Sequence, residues 1–210
     1  EFREAGLQGK DYIYLLGAII CGGVLAPILL TVGLMKTPAS VASLFLNLEC
    51  ILTALVAYIV FKEAIDWRIW LAIIAMVISG TILSYDPKTA TLTFPLSLLL
   101  VIGACLMWAI DNNLTRPLSD KDPYVIARSK GLAAGTVSII IALLIGEKTP
   151  QLISIIYTML IGAVCYGISL LLFIYALRFM GAARTGAFFG TAPFIGAVVS
   201  IVLLKEADLY

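Results

Sequence analysis

Residues 33–64, GLMKTPASVASLFLNLECILTALVAYIVFKEA, align without a gap on residues 176–207, ALRFMGAARTGAFFGTAPFIGAVVSIVLLKEA, at a spacing of 143. Leu34 falls on Leu177, Ala39 on Ala182, Phe45 on Phe188, Ala54 on Ala197 and Val56 on Val199. Apolar helices share Ala and Val through composition alone. The polar run Lys62-Glu63-Ala64 opposite Lys205-Glu206-Ala207, at the same end of both stretches, carries the information. Upstream, Cys21 and Gly23 match Cys165 and Gly167 at a spacing of 144. Such self-similarity at a long fixed period marks a duplicated unit, and the apolar body of each copy is long enough for a membrane helix.

Working outward, the rest of the chain has the same character. Of 210 residues, 61% are hydrophobic and 13% charged, with a mean hydropathy of +1.06; a soluble domain of this size carries about 25% charged residues. A water-soluble surface cannot be built from this remainder. The net charge of +1 gives no field for nucleic acid. Histidine is absent, which removes the commonest metal ligand and general base. Cys21, Cys50, Cys105 and Cys165 lie in apolar runs without CxxC spacing and read as small buried hydrophobes. No cofactor and no metal site is expected, and an enzyme is disfavoured because no nucleophile–base pair stands out.

A bilayer core of roughly 30 Å takes about 20 apolar residues per helix, and polar punctuation cuts the chain into seven such runs: 12–35, 39–61, 68–85, 95–117, 123–146, 151–178 and 182–204. The loops are short (KTPAS, KEAIDW, DPKTATLTF, LSDKDP, GEKTPQ and MGAA), so successive helices are antiparallel and pack as one bundle. The fold class expected is an all-α, multi-spanning membrane bundle with inverted repeats: a single transmembrane domain over 1–210, with three helices of the first repeat in 12–86 and four of the second in 95–210. Asp122 and Pro123 form a start signal for the fifth helix.

Direction follows from Lys and Arg. One set of ends holds Arg3, Lys10, Lys62, Arg68, Arg116, Lys121, Arg128, Lys130, Arg178 and Arg184; the other holds Lys36, Lys88, Lys148 and Lys205. The first set is assigned to the cytoplasm of a plasma (inner) membrane. Five helices separate a position from its copy, and an odd number reverses direction. Lys62-Glu63 is therefore expected inside and Lys205-Glu206 outside, the inverted arrangement that lets two halves exchange conformations. A five-helix repeat implies ten helices, of which these would be the third to the ninth. The polar opening EFREAGLQGKD, without signal-peptide character, fits a chain that begins within a longer protein.

The segment ASVASLFLNLE with its terminal FKE, its copy AARTGAFFGTAPFIGAVVSIVLLKE, and ACLMWAIDNNLTRPLS (104–119) resemble the EamA-type transporters of the drug/metabolite superfamily. The resemblance extends over essentially the whole chain. It implies ten helices in two five-helix repeats, a solute cavity near the bilayer midplane, and export or import of amino acids, nucleosides, sugars or other small metabolites. One departure matters: Pro193 of the second copy is matched by Cys50, preceded by Glu49.

Ionisable groups at membrane depth cost roughly 2.5–3.5 kcal/mol at least and face protein or water. Glu49, about 15 Å into its helix, is a candidate for a proton or for a cationic group of the solute; equally, it is a structural tie between helices. Asn47, about 200° away around an ideal helix, is expected to point elsewhere. Asp111 and Lys130 lie at matching depth on neighbouring helices and invite pairing, as a fixed strut or as a gate. Asn112, Asn113 and Arg116 extend that polar patch, with Arg116 and Arg184 at the cytoplasmic mouth. Trp108, on the face of Asp111, and Tyr166 are candidate cavity walls for a planar or cationic solute. Gly131-xxx-Gly135 and Gly186-xxx-Gly190 permit close helix contact, and Pro27 and Pro193 fall inside spans. The expected function is secondary active transport of small metabolites by alternating access, with lipid, a small solute and protons as partners. The alternative is a non-transporting membrane protein whose buried charges are structural.

Overall fold

The computed structural model describes residues 6–37, 45–62, 96–147 and 149–191, with isolated positions between 42 and 92. Helix α1 spans Asp11–Leu34, α2 Leu48–Phe61, α3 Leu96–Thr115 with a 3₁₀ turn to Leu118, α4 Pro123–Leu144, α5 Leu152–Met180 and α6 Ala182–Phe189. Among the described residues, α1, α3 with its turn, α4 and α5 are long and apolar enough to cross a bilayer; α2 is a shorter apolar helix of 14 residues. The protein is an all-α membrane bundle, and its outer face is rich in apolar side chains such as Leu132, Ile139, Leu143, Leu152, Met159 and Leu172. So continuous an exposed apolar surface belongs against lipid. The expected count of seven spans is not reached in the described residues. The third (68–85) lies largely outside them, as do the seventh beyond Thr191 and the Lys205-Glu206-Ala207 tip. A two-residue antiparallel ladder, Tyr85 opposite Leu92 and Asp86 opposite Thr91, closes the connection before α3.

The relative directions of the helices can be read from contacts. Gly17 lies by Leu114, Gly22 by Asp111 and Gly33 by Val101, so α1 and α3 are antiparallel. The Cys105 thiol reaches the Phe45 carbonyl, and the Thr53 carbonyl accepts from Asn113; α2 therefore runs parallel to α3. Gly23 packs on Ala134, and Leu15 shares a core with Ile126, Leu118 and Ile174, so α4 follows α1. Ala182 and Ala183 pack with Ala54 and Ala57, while Gly190 meets Cys50. Helix α6 is thus antiparallel to α2, its partner at the 143-residue spacing.

One end of the bundle collects polar groups. The Lys121 ammonium lies 3.4 Å from the Asp11 carboxylate. Arg178 donates to the Ser119 carbonyl and, at 2.5 Å, to that of Lys121, and Arg116 lies over the Phe61 ring. The Asp122 side chain accepts from the Tyr124 amide at 2.8 Å and caps α4, with Pro123 at its first position. These contacts tie the ends of α1, α3, α4 and α5 together.

Helices α1 and α5 each contain a seven-residue π-helical segment, Ile19–Leu25 and Gly162–Ile168. Their bounds differ by 143 residues, the repeat spacing. π-Helix accounts for well under 1% of residues in proteins, so two such segments in register are strong structural support for the duplication.

Two expectations need correction. Gly131 and Gly135 have nothing within 4 Å of a built Cβ, so they do not make a close helix contact among the described residues; Gly186 and Gly190 do, against Cys50 and Thr53. Helix α4 instead packs through Gly23 of α1. Of the four cysteines expected to be buried, only Cys105 is; Cys21 and Cys50 are half-buried, and Cys165 is exposed, bordering a cavity.

Candidate functional site

The π segment of α1 sets up the centre of the molecule. Its wider register sends the Ala26 amide to the Cys21 carbonyl, and Pro27, one residue on, has no N–H to give. The Gly22 carbonyl is left without a helical donor, and a buried carbonyl needs one. The Trp108 indole supplies it, Nε1 donating at 3.2 Å. Beside it, the Asp111 carboxylate lies where a side chain at residue 22 would be; a Cβ there would come within 1.9 Å of Oδ2. Glycine at 22 is therefore required by the carboxylate one helix away.

Asp111 is 7% exposed and Lys130 4%. The Lys130 ammonium donates to Asp111 Oδ1 at 2.5 Å and to Thr115 Oγ1 at 3.1 Å, while the Thr115 hydroxyl donates to the same carboxylate oxygen at 3.0 Å. The pairing anticipated from depth and sign is present. It forms a closed, buried triad joining α3 to α4.

A second polar chain runs to α2. The two hydrogens of Asn112 Nδ2 go to Glu49 Oε1 and to Thr53 Oγ1, each at 3.1 Å. Asn113 Nδ2 bridges the Thr53 carbonyl at 3.0 Å and the Ala109 carbonyl at 2.8 Å. The carboxamides of α3 thereby hold α2 in parallel register. Glu49 is half-buried, and among the described residues no cation pairs with it.

These groups surround a cavity of about 390 Å³, a size suited to a small organic solute. Glu49, Asn47 and Cys50 contribute from α2 and its N-terminus, Trp108, Asp111 and Asn112 from α3. Cys165, Tyr166, Ser169, Leu170 and Phe173 line it from α5, and Phe189 and Gly190 from the end of α6. The π segment of α5 and both stretches matched at the 143-residue spacing thus meet here, while α1 gives no lining residue and stands behind Trp108 and Asp111. Phe173 and Phe189 stack edge-to-face at 5.5 Å and separate this space from a second, apolar cavity between α5 and α6.

Of the residues singled out from sequence, Glu49, Asn47, Trp108, Asp111, Asn112 and Tyr166 all line this one cavity. Lys130 stands behind Asp111. Arg116 lies away from it on Phe61. Arg184 is exposed at the start of α6 and lines neither cavity. The expected direction of Asn47 is corrected: it shares the cavity with Glu49. The angular rule assumed an unbroken helix, whereas α2 begins at Leu48 and Asn47 stands in a turn just before it. Thr53, Gly22, Phe173 and Phe189 carry parts of the site that no sequence signal had singled out. Pro27 five residues beyond Gly22 was the available clue.

The fold and cavity define a polytopic helical membrane protein with an internal, sparsely polar cavity. More particularly, the chain belongs to the EamA-like transporter family, whose model matches residues 2–85 and 95–207. The chain is 30% identical over 208 residues to a protein named "Uncharacterized transporter" from Methanothermobacter thermautotrophicus, covering 97% of this chain and 61% of that protein. It therefore spans about three fifths of the length of that relative. No solved structure matches it.

Proposed function

We propose that this chain forms the solute chamber of a secondary active transporter, which carries small organic metabolites across a membrane by alternating access, with Glu49 exchanging a proton as the chamber changes face. The observation that carries this reading is the convergence of the two matched stretches on one cavity: α2 and α6 run antiparallel across Cys50 and Gly190, and both line the same space beside the π segment of α5. Antiparallel copies can trade conformations, so that a central site opens to either side in turn, and π segments give each copy backbone that can change register. The split of the family match into 2–85 and 95–207 supports reading the chain as a first repeat over 12–86 and a second over 95–210. The arginine- and lysine-rich end at Arg116, Lys121 and Arg178 faces the cytoplasm in this reading, and the membrane is the plasma membrane.

The second reading, a non-transporting protein with structural charges, is favoured by one observation only. The Asp111–Lys130–Thr115 triad is a buried ion pair closed on itself by hydrogen bonds among its own three members. We assign that triad to scaffolding and Glu49 to function. The test is solute-driven dissipation of a proton gradient in vesicles holding the full-length protein, with a mixture of small metabolites as the driver. Glu49→Gln should abolish the pH-dependent component while leaving the protein folded. Flux that is identical in Glu49→Gln at every pH would remove Glu49 from the mechanism.

A further inference from the structure

The charges and donors that face the chamber restrict what fits inside it. Two carboxylates border it, but they are not equivalent. Asp111 gives Oδ1 to Lys130 and Thr115 and packs its Oδ2 on Gly22, so its charge is already balanced. Glu49 accepts through Oε1 from the neutral Asn112, and its other oxygen takes no protein hydrogen bond among the described residues. Among the described residues the chamber therefore holds one uncompensated carboxylate. Among the described residues, no Lys or Arg lines it.

The donors tell the same story from the other side. Both hydrogens on Asn112 are spent on Glu49 and Thr53, and the Trp108 indole is spent on Gly22. A carboxylate or phosphate entering this space would lose its water and meet neither a cation nor these strong N–H donors, a heavy cost. Around Glu49 the walls are instead aromatic: Trp108, Tyr166, Phe173 and Phe189. Aromatic faces attract cations and stack on flat apolar bodies.

We infer that the solute is a monovalent organic cation, an amine or similar group on a flat apolar body, with the cationic group at Glu49 and the body among Trp108, Tyr166 and the Phe173–Phe189 pair. The inference rests on the transporter reading and narrows its solute class. It sets anions and dications aside: among the described residues the first find amide and hydroxyl groups but no cation, and the second find one uncompensated carboxylate where they need two. It also makes proton and solute alternatives at one group, so that each cation bound displaces one proton from Glu49.

A charge series on a single body tests this. Tryptamine (cation), tryptophol (neutral), indole-3-propionate (anion) and tryptophan (zwitterion) differ in little but charge. Binding of each to the purified full-length protein is measured by titration calorimetry, and flux of each in proteoliposomes. Tryptamine should bind at least about tenfold more tightly than tryptophol, and the propionate should not compete. Glu49→Gln should bring the tryptamine-to-tryptophol ratio close to one, while Glu49→Asp keeps a preference for the cation. A folded Glu49→Gln protein that retains the full ratio overturns the inference. So does tighter binding or faster flux of tryptophan or the propionate; in that case the transporter reading stands and only the solute class falls. Failure of all four to bind overturns the inference as well, and the metabolite-mixture assay then decides separately whether the protein transports at all.

Discussion

Replacing Lys130 with Met removes the ammonium from a site that is 4% exposed and keeps most of the side-chain volume. What remains is the Asp111 carboxylate, itself 7% exposed, with one hydroxyl donor, Thr115, at 3.0 Å. Breaking a buried pair on one side typically costs about 3–5 kcal/mol, because the surviving charge is left without compensation. For a chain of 150–250 residues, each kcal/mol moves the melting temperature by roughly 2–4 °C, so Lys130→Met should melt roughly 6–20 °C below the parent. Neutralising both partners removes the problem instead of exposing it, and Lys130→Met with Asp111→Asn should recover most of the loss. Reversing the two charges is a poorer test. Gly22 lies against the carboxylate so closely that a Lys at 111 would not fit. The assay is thermal melting of detergent-purified protein followed by loss of the monodisperse chromatographic peak. Equal loss in the single and double variants, or no loss in the single, would refute the assignment of this triad to scaffolding.

Gly22→Ala puts a methyl within 1.9 Å of Asp111 Oδ2; overpacking of this kind costs about 1–3 kcal/mol, and melting should fall accordingly. Gly131→Ala, with nothing within 4 Å, should be neutral or slightly stabilising because Ala is the better helix residue; equal losses in the two variants would contradict the packing described. A small membrane-permeant thiol reagent should modify Cys165 fastest, Cys50 more slowly and Cys105, buried against the Phe45 carbonyl, least. Peptide mass spectrometry reads the order, and Cys105 reacting first would contradict the cavity's outline. Single cysteines replacing Lys62 and Lys205 should label from opposite sides of sealed vesicles with an impermeant reagent; labelling from one common side would end the inverted arrangement.

The parts of the site visible in the sequence were those that violate a composition rule. A carboxylate, a lysine and paired asparagines inside apolar runs have few places to go, so Glu49, Asp111, Asn112 and Lys130 announce themselves, and depth along α3 and α4 was enough to pair two of them. The partners supplied by ordinary residues were not visible. Thr53 is an ordinary residue of an apolar helix, and its role depends on the parallel register of α2 and α3. Phe173 and Phe189 look like any membrane aromatics until α5 and α6 are side by side. Asn47 misled for a local reason: a turn before Leu48 breaks the helical phase from which its direction had been calculated.

Gly22 shows why local reading stops where it does, and what the duplication adds. Its carbonyl is freed by a register change four residues later and by a proline five residues later, then satisfied by an indole 86 residues away. No window of sequence contains that arrangement. Yet the second π segment falls at the repeat spacing without any equivalent proline: residue 170, the counterpart of Pro27, is Leu170. The wide turn in α5 therefore cannot be ascribed to a missing N–H. It follows the duplicated position, not the local breaker, and it brings Cys165 and Tyr166 to the chamber's wall as the first brings Gly22 to Trp108 and Asp111. A feature kept in both copies, for which only one copy retains the local cause, is expected where the wide turn itself serves the chamber. On the transporter reading, the moving parts of the cycle would lie in α1 and α5, with the Asp111–Lys130 triad as the fixed support against which they shift.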